Sequence, residues 1–162
     1  MQRFIFPDFV AKFPPVPMPV TLGEDTHHTF GVENEPLPDA MIEQFILPAE
    51  SSDAVLDEFT EYVPCFAIED TEQFIALVWW KATLLHYEYY LATFTLKGEL
   101  IDCKVIAQTN VVDNRVFRSV AHINEEYEIT IGEGTSSEGG SHFDPTTSKT
   151  RFMEIMANGE IA

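Results

Sequence analysis

The chain reads as an α+β protein, predominantly antiparallel β, in which an about seven-stranded curved meander sheet follows one or two short N-terminal helices. Three observations predict this. From Tyr62 onward, apolar and β-branched runs alternate with short turn signals. Helix-like apolar spacing is confined to a short stretch before Tyr62. The strands precede any further helix pattern, so helices gather at one end, as in α+β folds. No internal repeat or linker divides the sequence. Residues 1–162 are therefore expected to form one domain, with residues 1–36 as an irregular Pro-rich segment packed on the body, 37–60 as short helices and 61–162 as the meander.

The elements follow in order. "FPPVPMPV" (Phe13–Val20) carries four prolines interleaved with apolar residues, which predicts an extended strip against the folded body. "PLPDAMIEQFIL" (Pro36–Leu47) predicts a helix: Pro38 suits the first turn, Asp39 favours its positive end, and Met41, Ile42, Phe45 and Ile46 share a face. Pro48 is expected to stop it, and a second short helix over Ser52–Phe59 to follow, exposing Asp53, Asp57 and Glu58. The strands are "YVPCFAIE", "FIALVWWKAT", "YEYYLATFTL", "ELIDCKVIAQ", "RVFRSVAHI", "YEITIGEG" and "KTRFMEIMA". Their connections are "EDTEQ", "LLH", Lys97–Gly98, "TNVVDN", "NEE" and a Ser/Gly-rich loop, "TSSEGGSHFDPTTS"; Asn158–Gly159 makes a last turn.

Composition narrows the function. With 45% hydrophobic residues the chain can fold despite 27 acidic against 9 basic side chains, a formal charge of −18. Residues 1–80 hold 15 acids against Arg3 and Lys12, a balance of −13. Such a field repels nucleic acid and anionic membrane surfaces and draws in basic partners. Cys65 and Cys103 form neither a zinc pattern nor a redox pair, and both sit in apolar runs as expected for free thiols. The first residues lack the apolar core of a signal peptide, which predicts a cytoplasmic protein.

The aromatic stretch "FIALVWWKATLLHYEYYLATF" (Phe74–Phe94) has nearly the length of a membrane span. Lys81, His86 and Glu88 break it, and each charge at mid-membrane costs about 2.5–3.5 kcal/mol. No membrane insertion is expected. Cut at "TLLH", the stretch becomes two paired strands. Trp79 and Trp80, being adjacent, point to opposite faces, and only one can serve a one-sided core. The other is either covered by the N-terminal segment or open to a partner, where indole is a good anchor. The expected partner-binding residues are Trp79, Trp80, Tyr87 and Tyr89 with the acids Asp53, Asp57, Glu58 and Glu61. If both indoles are covered, the acidic N-terminal half becomes the better candidate surface.

Catalytic and cofactor chemistry has no foothold. His27, His28, His86, His122 and His142 do not fall at zinc-ligand spacings, and "SSEGGSHFDPTTS" lacks the spacing of a calcium loop. There is no G-x-S-x-G, no G-x-G-x-x-G and no P-loop. With 27 acids, a pair of carboxylates carries no information. No catalytic residue, metal or cofactor is assigned.

The runs "YVPCFAIEDTEQFIALVWWKA", "YEYYLATFTLKGELIDCKVIA" and "KTRFMEIMANGEI" resemble small bacterial antiparallel β-meander proteins with strand–"KG"–"LID" hairpins and a closing "NG" turn. Some of that group are candidate immunity partners of secreted toxins. The resemblance implies the meander and a protein partner, and transfers no functional residue. The expected function is a non-enzymatic acidic protein-binding module, most concretely an immunity-type inhibitor of a basic protein. The alternatives are a small apolar-ligand domain with Trp79, Tyr89, Tyr90 and Phe94 around a cavity, or a component of a larger assembly.

Overall fold

A computed structural model of the chain describes residues 3–51, 56–137 and 143–162. It is mainly antiparallel β, with a few short helices at the N-terminal end. Among the described residues nine strands form one sheet: β1 (Pro15–Val16), β2 (Val20–Leu22), β3 (Glu61–Ile68), β4 (Ile75–Thr83), β5 (His86–Phe94), β6 (Leu100–Val112), β7 (Arg115–Ile123), β8 (Glu128–Ser137) and β9 (Phe143–Glu154). Strands β3 to β9 are the expected meander, each antiparallel to the next.

The two strands beyond the expected seven come from the Pro-rich segment, which is not irregular. Strand β1 runs parallel to β3, and β2 runs antiparallel to β7. Strand β7 bonds β6 through Arg115–Arg118, then β2 through Ala121–Ile123, while β8 takes its other edge. The strip from Pro15 to Leu22 thus joins the two ends of β3–β7 and curls the sheet on itself. Proline is tolerated here because edge positions leave some backbone N–H groups without a ladder role.

The turns follow residue chemistry. Gly98, with φ of +96°, closes β5–β6, and Gly159, with φ of +93°, makes the last turn. "TNVVDN" is not all turn: its first four residues extend β6, and only Asp113 and Asn114, both at positive φ, form the bend. Strands β8 and β9 likewise run into the expected Ser/Gly loop, to Ser137 and from Phe143. Pairing across the ladder outweighs local composition there, and the register shifts between Glu133 and Thr135, where residues 145–148 of β9 face Gly134 alone.

Among the described residues, α1 (Phe6–Val10) and α2 (His27–Glu33) lie in the segment expected to be irregular. Helices α1, α3 (Asp39–Met41) and α4 (Leu47–Glu50), with a π turn over Ile42–Ile46 between the last two, cover one face of the sheet, while α2 lays His27 and Phe30 on the inner core. Pro48 does not stop the expected helix. The wide π turn just before it loosens the spacing to the preceding carbonyls, where a proline ring would clash in regular α-helix. The helix expected over Ser52–Phe59 lies partly outside the described residues. From 56 to 60 the chain is not helical: the Asp57 carboxylate accepts bonds from the Phe59 N–H (2.8 Å) and the Thr60 hydroxyl (2.9 Å) and fixes a turn.

Two cores result. Inside the curl lie Leu22, Phe66, Val78, Trp80, Tyr89, Leu91, Ile106, Ile123 and Ile131. Between sheet and helices lie Phe9, Phe13, Met41, Ile46, Leu77, Trp79 and Phe94. Strand β4 is buried on both faces from Ala76 to Trp80. Among the described residues no helix is long and apolar enough to cross a membrane.

Candidate functional site

The two tryptophans do point to opposite faces of β4, and both are covered. Trp79 is completely buried under the helices, stacked with Tyr90 at 6.0 Å. Trp80 lies in the inner core at 6% exposure because the His27 imidazole of α2 lies flat on it, 3.9 Å away and within 2° of parallel. Tyr87 continues this stack at 5.8 Å and is half-buried. Burial and the neighbouring His28 hold the His27 pKa below its ordinary value. Tyr89 is buried, and its hydroxyl donates to the Gly23 carbonyl at 3.0 Å. Trp79, Trp80 and Tyr89 are therefore core and present no anchor to a partner. Nor do Trp79, Tyr89, Tyr90 and Phe94 surround one cavity: Tyr89 belongs to the inner core and the other three to the helix-covered one.

Of the expected acids, Asp53 lies outside the described residues. Asp57, Glu58 and Glu61 are exposed, but Asp57 is committed to its turn, whose hydrogen bonds from Thr60 and Phe59 lower its pKa.

The structure assembles two polar arrangements that sequence spacing does not show. The first is buried. Glu50, at the end of α4, has a side chain only 5% exposed. Its carboxylate accepts from the Lys81 ammonium (2.8 Å), the Tyr62 hydroxyl (3.3 Å) and the Trp79 indole N–H (3.3 Å). Lys81 also sits 5.8 Å from the Tyr62 ring and 5.9 Å from the Tyr90 ring. The Tyr90 hydroxyl donates to Glu88 at 3.2 Å. Burial, then the nearby carboxylates, push the Tyr62 and Tyr90 phenols up. Glu50 thus gathers donors from β3 and β4, and the cluster fastens the helical cap to the sheet.

The second arrangement is an open groove in the helical cap, of about 530 Å³. Its apolar lining is Phe4, Ala11, Pro14 and Met41; its rim carries Asp8, Glu33 and Glu35 against the single base Lys12. Each wall is tied down. Phe4 exchanges two backbone bonds with the Gln44 amide, at 3.0 and 2.6 Å. Asn34 donates to the carbonyls of Pro64 (2.7 Å) and Cys65 (2.9 Å), where a bulge in β3 presents them together. Lys12 bridges to Glu35 at 2.8 Å, and this hydrogen bond holds the Glu35 carboxyl below its usual range. Chemically, such a groove suits a lysine or arginine: carboxylates take the head and the apolar lining takes the stem. One signal in the sequence did point this way. Lys12 is one of only two bases among the first 80 residues, yet nothing in the spacing links it to Glu35.

Among the described residues, no group of three or more His, Cys, Asp or Glu side chains is placed to hold a metal ion. The fold and groove define an acidic, mainly antiparallel β protein with a helical cap. Comparisons with known protein families, curated proteins and solved structures give no match.

Proposed function

We propose that this protein is a non-enzymatic binding module for a basic protein, acting as an immunity-type inhibitor. The anchored, acid-rimmed groove over Phe4, Asp8, Lys12, Glu33, Glu35 and Met41 carries the reading. A basic residue of the partner, flanked by apolar neighbours, enters it. The formal charge of −18 speeds the encounter. Anchoring the walls beforehand lowers the ordering cost of binding. The reading places the protein in the cytoplasm, supported by the two free cysteines, Cys65 and Cys103.

The test is capture of partners from the source cells with the wild-type chain and with an Asp8→Lys/Glu33→Lys variant. The proposal expects a partner of net positive charge whose association rate falls steeply with salt and whose affinity drops at least about tenfold in the variant. A partner that binds both proteins equally, or only acidic partners, would sink it.

A further inference from the structure

The groove of the helical cap already holds a lysine. Lys12 lines it together with Phe4, Ala11, Pro14 and Met41, and its ammonium bridges to Glu35 on the rim at 2.8 Å. The Lys12 side chain is 24% exposed, whereas that of Glu35 is 79% exposed. Lysines mostly stand out into water, so one this covered on a chain of charge −18 is unusual. A stem among apolar residues and a head on a carboxylate is also the arrangement that a foreign lysine would adopt here. Among the described residues Glu35 is the one carboxylate that the ammonium bridges to, which leaves Asp8 and Glu33 on the rim without a base.

We propose that Lys12 is an internal stand-in for the partner's basic residue, a role that rests on the groove being the partner's site, and that binding displaces its ammonium from Glu35. The competing role is a strap that ties the end of α1 to the end of α2. Two observations favour the stand-in. First, each member of the pair sits beside a residue that is already locked. Phe13 is 2% exposed, its ring lies 5.1 Å from that of Phe9, and its N–H donates to the Val10 carbonyl at 2.9 Å. Asn34 is held by the Pro64 and Cys65 carbonyls. The walls therefore stand without the ion pair. Second, an ion pair with so exposed a member adds little to folding, yet it occupies a carboxylate that an incoming base needs.

The sign of the effect separates the two roles. A strap, once cut, loosens the walls and weakens binding. A stand-in, once removed, frees Glu35 and strengthens it. Exposed ion pairs correspond to roughly two- to fivefold in an equilibrium constant. Lys12→Met keeps an unbranched apolar stem and should tighten binding by that factor. Losing a positive charge elsewhere also favours a basic ligand, but weakly through solvent and salt. Lys149, exposed on β9 and outside the groove lining, measures that general contribution.

The experiment is calorimetric titration of the full chain with a short alternating Lys-Leu peptide, with amide NMR to locate the contact. Lys12→Met should bind roughly two- to fivefold more tightly than wild type, and Lys149→Met within about 1.5-fold of it. Lys12→Arg retains the pair and should bind no more tightly than wild type. Made in a Glu35→Gln background, Lys12→Met should gain at most about half as much, because the contested carboxylate is gone. Binding by Lys12→Met that equals or falls below wild type, with shifts still on the groove, overturns the displacement and leaves the groove as the site. A gain in Lys149→Met as large as that in Lys12→Met assigns the effect to overall charge and overturns it too. Shifts absent from the groove in every variant defeat the groove as the partner's site, and the role of Lys12 with it.

Discussion

Replacing Lys81 by Met removes one charge from the buried Glu50 cluster while keeping an apolar stem of similar reach. The Glu50 carboxylate, 5% exposed, then loses its 2.8 Å partner but keeps the Tyr62 and Trp79 donors at 3.3 Å. Breaking a buried ion pair from one side costs about 3–5 kcal/mol. The lower end applies, because the Lys81 side chain is 21% exposed and two donors remain. A loss of about 3 kcal/mol is expected, and the melting temperature should fall by roughly 6–12 °C for a domain of this size. Adding Glu50→Gln removes the stranded charge and should recover about half of the loss. Urea unfolding of the three proteins measures this. The reasoning fails if Lys81→Met lies within about 0.5 kcal/mol of wild type, or if the double variant is no more stable than the single one.

Other expectations follow from the same packing. Gly98→Ala forces a side chain onto φ of +96° and brings its Cβ within 2.7 Å of the Phe6 ring; a loss of about 1–3 kcal/mol should appear in denaturant melts. His27→Ala uncovers the indole of Trp80, so tryptophan emission should shift to the red while the fold is retained. Burial raises the thiols of Cys65 and Cys103, the latter to about 12, and the phenols of Tyr62, Tyr89 and Tyr90. The folded state then holds protons that the unfolded chain releases. This stability is complete below the unfolded thiol value of about 9 and is lost as pH rises beyond it. Melting temperature should therefore fall from about pH 9 upward, and both thiols should resist disulfide-exchange reagents at pH 8 until the protein is unfolded.

Much of the architecture was legible because alternation, Gly98 and Gly159 are local signals. The seven meander strands and the split of Phe74–Phe94 into β4 and β5 follow from them. What escaped was decided at long range. Pro15–Val16 and Val20–Leu22 carry no strand signature of their own and become strands only because β3 and β7 offer ladder partners. The burial of both Trp79 and Trp80 does have a signal in the sequence: "IALVWW" is continuous rather than alternating, the mark of a strand covered on both faces. The Glu50–Lys81 pair spans 31 residues and Lys12–Glu35 spans 23, separations at which no periodicity links two side chains.

The central claim is that the groove of the helical cap, and not acidity in general, receives a basic partner. Amide NMR of the protein titrated with a short alternating Lys-Leu peptide tests it most directly. The account predicts shifts concentrated at Phe4, Asp8, Ala11, Lys12, Glu33 and Glu35, and their loss in the Asp8→Lys/Glu33→Lys variant. Shifts spread evenly over all exposed carboxylates, or absent from the groove, would contradict it.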